Sequence, residues 1–245
     1  MALPELAGWR AEAVRATFIA NAPVTANGKG WWQAFTGTAP DTVLSKPNAA
    51  EHSESGPFGV GRLEMKVAFN RVDWVYMPIA EPGPSVPSLG EAQEIMPALN
   101  EALAAWLASD DTPFVRTAYG AGLLYPASDV IEGNRAMLAY LPFISMNPEL
   151  GRDLFFQTNF PRPSSVLDGG VVNRISKLMS ATAQVINIGG SGPVPTIQSH
   201  YFARVELDLS TTADRTETIP VDKRSTAFNE LVTSAIEMMT HGVQP

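Results

Sequence analysis

The chain of 245 residues has no cysteine, only three histidines, and few charges: 17 basic and 25 acidic side chains, or 17% of the whole. Without cysteine a disulfide scaffold is excluded. The histidines, His52, His200 and His241, stand far apart. None has a second ligand at metal-binding spacing and no HExxH occurs, so the sequence offers no metal site. Charge is sparse against the roughly 25% of typical soluble domains, yet hydrophobic residues reach 45%. Disorder needs the opposite balance. No basic n-region followed by an apolar run opens the chain, MALPELAGWR, so no targeting segment is read there and a cytoplasmic location is expected. The longest uncharged run, Leu178 to Ala203, is broken by Ser, Thr, Gln, Asn, Gly and Pro, and does not read as a membrane helix.

Net charge is 17 − 25 = −8. Such a surface repels phosphate backbones, so nucleic acid is disfavoured except through a local basic patch. One window departs from the trend. Residues 151–180 carry Arg152, Arg162, Arg174 and Lys177 against Asp153 and Asp168, a local excess of +2.

Periodicity gives the elements. Residues 12–19 alternate as a strand, and Trp31, Trp32 and Phe35 sit on a short helical turn after Asn27-Gly28. Residues 38–61 are rich in Pro, Gly, Ser, Asn and Thr and read as an irregular loop. Residues 62–79 read as a hairpin turning at 70–73, with Leu63, Met65, Val67 and Phe69 on one face. A stiff linker follows at 81–87. Helices are expected over 88–107, opened by a Ser88/Glu91 capping box and either kinked or delayed in its start by Pro97, over 128–141, and over 225–240 with Ser225 as N-cap. Strands are expected at 114–125, 153–160, 171–187 and 199–209. Gly120 and Gly122 suggest a bulge or a close backbone approach. A second flexible connection is expected at 189–195.

The pattern predicts an α+β protein, mainly antiparallel, with about four helices and a ferredoxin-like β-α-β-β-α-β first half. It forms a single domain over 1–245, or two tightly packed lobes over 1–126 and 127–245.

Catalytic signatures are weak. The glycine clusters at 56–61 and 189–192 lack Gly-Lys-Ser/Thr and a following helix, so they read as turns. Ser191 lacks the GxSxG spacing. Glu64 and Glu206 or Asp208 could meet across strands, although a solvated face explains them as well. Trp31, Trp32, Phe35 and Trp74 could form a stacking platform but lack a basic groove, which favours packing. The candidate binding group is Gln157, Asn159, Arg162, Asn173, Arg174 and Lys177: amides and cations on two strands flanking a Pro-bounded loop, suited to a carboxylate, a phosphate or a partner's acidic surface. Ordinary loop and surface roles explain the same residues. No cofactor is implied.

Two stretches, Phe155-Phe156-Gln157-Thr158-Asn159-Phe160-Pro161-Arg162-Pro163-Ser164 and Asn173-Arg174-Ile175-Ser176-Lys177, carry a resemblance. So do Arg71-Val72-Asp73-Trp74, Glu206-Leu207-Asp208-Leu209 and Phe228-Asn229-Glu230-Leu231. From about residue 12 to 240 the chain resembles the sporadically distributed bacterial protein family of unknown function. The resemblance carries over no catalytic residue. A sporadic distribution implies an accessory gene, such as one for phage defence or a toxin–antitoxin pair. Two functions are therefore expected as alternatives. One is a non-catalytic binding or assembly subunit with a protein partner or a second copy. The other is an enzyme or sensor that binds a small anionic or nucleotide ligand through the 157–177 group.

Overall fold

The computed structural model describes residues 2–26, 29–80, 85–187 and 196–244. Its frame is one antiparallel sheet. The strands are β1 (Arg10–Ala20), β2 (Thr42–Lys46), β3 (Glu51–Phe58), β4 (Gly61–Ala68), β5 (Arg71–Pro78), β6 (Phe114–Ala127), β7 (Phe155–Asn159), β8 (Arg162–Pro163), β9 (Val171–Asn187) and β10 (Thr196–Thr211). They lie in the order β2-β3-β4-β5-β1-β6-β10-β9-β7, with β8 pairing β9 off that path. The α-helices are α1 (Trp31–Thr36), α2 (Ala92–Ile95), α3 (Asn100–Ser109), α4 (Val130–Ala139) and α5 (Val221–His241). The mixed, mostly antiparallel architecture expected from the sequence is present.

Alternation explains the strands. Leu63, Met65 and Val67 on β4 and Val205, Leu207 and Leu209 on β10 are buried on one face. Their neighbours Glu64, Lys66, Glu206 and Asp208 lie on the other, because successive side chains leave a strand on opposite sides. The helices cover the apolar face. α5 contributes Phe228, Leu231, Val232, Ala235, Met238 and Met239, a stripe at helical spacing. Trp106 on α3 lies at its centre, with ring centroids 5.1 Å from Phe18, 5.5 Å from Trp74, 5.6 Å from Trp31 and 5.8 Å from Phe114. The packing reading of the aromatics holds: Trp31, Trp32, Phe35 and Trp74 are all buried in the core.

Several local expectations are corrected. Residues 38–61 are not an irregular loop; they hold β2 and β3, paired from Thr42↔Ser55 to Lys46↔Glu51. These strands end the sheet and bury little, so polar residues suffice and no apolar alternation marks them. The hairpin turns at Phe69-Asn70, and Phe69 takes a left-handed backbone (φ 54°) and is exposed. Of the two outcomes expected at Pro97 the kink is absent: α2 ends before it and the longer α3 starts only at Asn100, since Pro lacks the N–H that would join them. α5 begins four residues before the expected Ser225, at Val221 after Pro220. The Asn27-Gly28 turn, most of the linker at 81–87 and the connection at 189–195 lie outside the described residues.

Candidate functional site

The face of the sheet opposite the helices is polar and runs across the strands from β3 to β7. Cross-strand register defines its rows. One row is Gln157–Lys177–Glu206–Gly122 on β7, β9, β10 and β6. The next is Asn159–Ile175–Asp208–Gly120–Arg15, which continues through Val75 to Glu64. A third pairs Asn173 with Ser210 and Ser210 with Ala118.

In the middle of this face lies a recess of about 540 Å³. Its floor is Gly120, Gly122 and Ala13; its sides are Glu12 and Arg15 on β1 and Glu206 and Asp208 on β10, with Lys177 and Arg204 beyond. The register between β1 and β6 shifts between Ala11 and Ala13. Glu12 is the extra residue of that bulge and turns toward Arg204, as bulges re-aim side chains. Glycines supply the floor because a strand residue without Cβ lets neighbouring groups approach its backbone closely: the Arg15 guanidinium lies over Gly120 and the Glu12 carboxylate over Gly122.

Four charges around the recess neutralise one another. Lys177 Nζ donates to Glu206 Oε2 at 3.0 Å. Arg204 donates to Glu12 Oε2 through Nε at 2.9 Å and lies 2.8 Å from it through Nη2. Arg204 Nη1 also donates to Glu206. Burial alone would raise the Glu206 carboxyl, but Lys177 and Arg204 outweigh it and hold it below the ordinary carboxylate range. Two charges remain. Among the described residues neither Arg15 nor Asp208 makes an ion pair, and Arg15 Nε is buried without a hydrogen-bond partner. The Arg15 guanidinium leans over Gly120: its Nη2 lies 3.5 Å from where a Cβ on that glycine would stand.

The six residues singled out from the sequence divide between the two faces. Gln157, Asn159, Asn173 and Lys177 reach the open face, and Lys177 borders the recess. Asn159 and Asn173 bond each other at 3.1 Å, and Asn159 Oδ1 accepts from the Arg174 amide at 2.8 Å. Arg174 is one residue out of phase with Asn173 and points to the helix face, where it is 3% exposed. Its Nε and Nη1 have no hydrogen-bond partner. Burial, then Arg162 nearby, lower its pKa, against the pull of Glu237. Arg162 donates to Glu237 Oε2 on α5 at 2.7 Å. The loop after β8 is tied to α5 as well: Ser164 Oγ donates to Glu230 Oε2 at 2.6 Å, and Ser165 donates to Glu230 Oε1 through its amide and, at 2.7 Å, through Oγ. Burial raises the Glu230 carboxyl, yet these bonds and Arg162 carry it below its ordinary range. Arg162 and Arg174 therefore do not converge with Lys177.

The paired carboxylates considered from sequence do not meet: three strands, β5, β1 and β6, separate Glu64 on β4 from Asp208 on β10. His52 Nε2 lies 2.8 Å from Glu54 Oε1 on the same strand. Among the described residues no group of three or more His, Asp or Glu is placed to hold a metal ion, and no helix is long and apolar enough to cross a membrane. Sequence reasoning missed Glu12 and Arg15: Gly120 and Gly122 suggested a close approach, but no local pattern places β1 beside β6.

A scan against protein families gives no match for this chain, and a search of curated proteins gives none either.

Proposed function

We propose that the protein is a non-catalytic binding subunit that docks a protein partner on the open face of its sheet. The observation behind this reading is the recess over Gly120 and Gly122, which has two uncommitted charges of opposite sign and no nucleophile–base pair. A broad, shallow, mixed-charge face suits a protein surface, where complementary charges set register and specificity. The family resemblance adds the setting: a bacterial accessory system in the cytoplasm, of the phage-defence or toxin–antitoxin kind. The strand order β4-β5-β1-β6 supports reading the first half as a ferredoxin-like unit with β2 and β3 inserted after α1.

The alternative, a small anionic or nucleotide ligand held by the 157–177 group, has less support. Arg162 is paired with Glu237, and Arg174 faces away from Lys177. Co-purification with the products of neighbouring genes, for the native protein and for Lys177→Glu, tests the docking reading. A partner retained by the first and weakened by the second supports it. A lone monomer that turns over a substrate ends it.

A further inference from the structure

Among the described residues, every surface arginine away from the open face of the sheet is tied down. Arg135, Arg162 and Arg215 lie in ion pairs with Glu149, Glu237 and Glu217, and Arg152 donates to the carbonyls of Glu149 and Gly151. On the open face Arg71 and Arg204 are paired as well. Arg10, Arg15, Arg62 and Arg116 are not: each is exposed or half-buried and none makes an ion pair. Register places all four on this face, opposite Leu124, Gly120, Met77 and Ile19 respectively. Only two carboxylates of the face, Glu64 and Asp208, are equally uncommitted. Four free cations against two free anions reverses the balance of the whole chain, with its 17 basic and 25 acidic groups.

Three of the four guanidiniums are already positioned by neutral neighbours. Arg62 Nη2 donates to Ser55 Oγ at 2.6 Å. Arg116 donates through Nε to the Thr211 carbonyl at 3.1 Å and through Nη2 to Ser210 Oγ at 3.0 Å. Arg15 lies against Gly120. Such contacts hold a guanidinium without neutralising it, and its five N–H groups leave donors to spare.

We infer that the open face binds its partner through an acidic protein surface, with carboxylates seated on Arg10, Arg15, Arg62 and Arg116. The inference rests on the docking reading and names the partner's chemistry. The β6 positions that mark Arg10, Arg15 and Arg116 are Leu124, Gly120 and residue 116 itself, four residues apart each time. The three therefore form a stripe along β1 and β6 at intervals of about 13 Å, and Arg62 stands about 10 Å to one side across β5. Arginine suits this task because its planar fork takes a carboxylate through two parallel N–H···O bonds. The net charge of −8 does not oppose contact, since charges beyond a Debye length of about 8 Å are screened at physiological salt. Nucleic acid fits less well. The open-face positions of β4, β5, β1 and β6 carry no aromatic side chain on which a base could stack, and Glu64 and Asp208 stand among the arginines where phosphates would lie.

The probe is a short oligoglutamate peptide, compared at about 150 mM salt with a neutral Ser/Gln peptide of the same length and with a single-stranded DNA of the same charge, each followed by NMR of backbone amides and arginine Nε–H groups. Oligoglutamate is expected to shift β1 and β6 signals beside the four arginines and to bind about tenfold more tightly than the neutral peptide. Arg10→Gln, Arg15→Gln, Arg62→Gln and Arg116→Gln together are expected to remove that difference with little change in melting temperature. Arg10→Gln with Arg62→Gln, a milder pair, is expected to remove part of it. Equal binding of the two peptides, or shifts confined to other surfaces, would overturn the inference. So would tighter binding of the DNA, which assigns the face to nucleic acid, or self-association of the native protein that the fourfold variant abolishes, which assigns it to a second copy. The co-purifying partner separates the two levels. If Lys177→Glu weakens it but the fourfold variant does not, the acidic assignment fails and the docking face stands. If neither weakens it, both fail.

Discussion

Replacing Arg174 by methionine should stabilise the protein, and the size of the gain can be worked out from its surroundings. The guanidinium is 3% exposed, Nε and Nη1 lack partners, and the nearby carboxylate, Glu237, is bonded to Arg162 at 2.7 Å. A buried unpaired donor costs about 1–3 kcal/mol, so two of them set a gross penalty of about 2–6 kcal/mol. Methionine keeps the apolar stem and removes the donors, but it leaves space where the head group stood, at about 1 kcal/mol or more. The net expectation is a gain of about 1–3 kcal/mol, or roughly 2–12 °C in melting temperature for a chain of this size. Urea unfolding, with the slope of free energy against denaturant compared between variants, measures it. Destabilisation of about 3 kcal/mol or more would refute the reasoning, because that is the signature of breaking a paired buried charge.

Asp110 is buried and accepts from Trp31 Nε1 at 3.0 Å and from the Thr112 amide and hydroxyl. Asp110→Ala leaves the Trp31 and Thr112 donors without their acceptor and should cost about 1–3 kcal/mol and alter Trp31 fluorescence. Trp106→Ala removes the centre of the aromatic core and should cost about 3–5 kcal/mol in chemical denaturation. Glu230→Ala releases the loop after β8 and should speed its proteolysis at Ser164–Asp168 while costing about 1–2 kcal/mol. The Glu230 carboxyl is held below its unfolded value, so its contribution is present above the ordinary carboxylate range and is lost as pH falls through the depressed folded value. The protection of the Ser165 amide, measured against its intrinsic exchange rate at each pH, should therefore fall on acidification, and flat protection across that range would contradict the assignment. Gly120→Ala should raise stability by about 0.5–1 kcal/mol in the same urea assay.

Strong alternation made β4, β9, β10 and the stripe of α5 legible in the sequence, because each has one apolar and one polar face. The terminal strands β2 and β3 were not, since a strand that buries little leaves no pattern. The binding group was half legible. Parity along β9 placed Asn173 and Lys177 together, and the same parity assigns Arg174 to the opposite face; composition alone had grouped all three. Arg162 looked free because its partner, Glu237, comes 75 residues later on a helix whose position no local pattern gives. The recess was least legible. It depends on which strands flank β6, and that order joins residues near 12, 120 and 206.

The central place of β1 has a consequence for how the chain must assemble. One of its neighbours, β5, follows within about sixty residues, but the other, β6, begins only at Phe114. During synthesis the first 113 residues therefore hold β1 with one side open, its amides and carbonyls available to any extended segment nearby. Sheets closed by such distant pairings fold slowly. Until β6 arrives, a nascent chain is exposed to mispairing along its own middle strand.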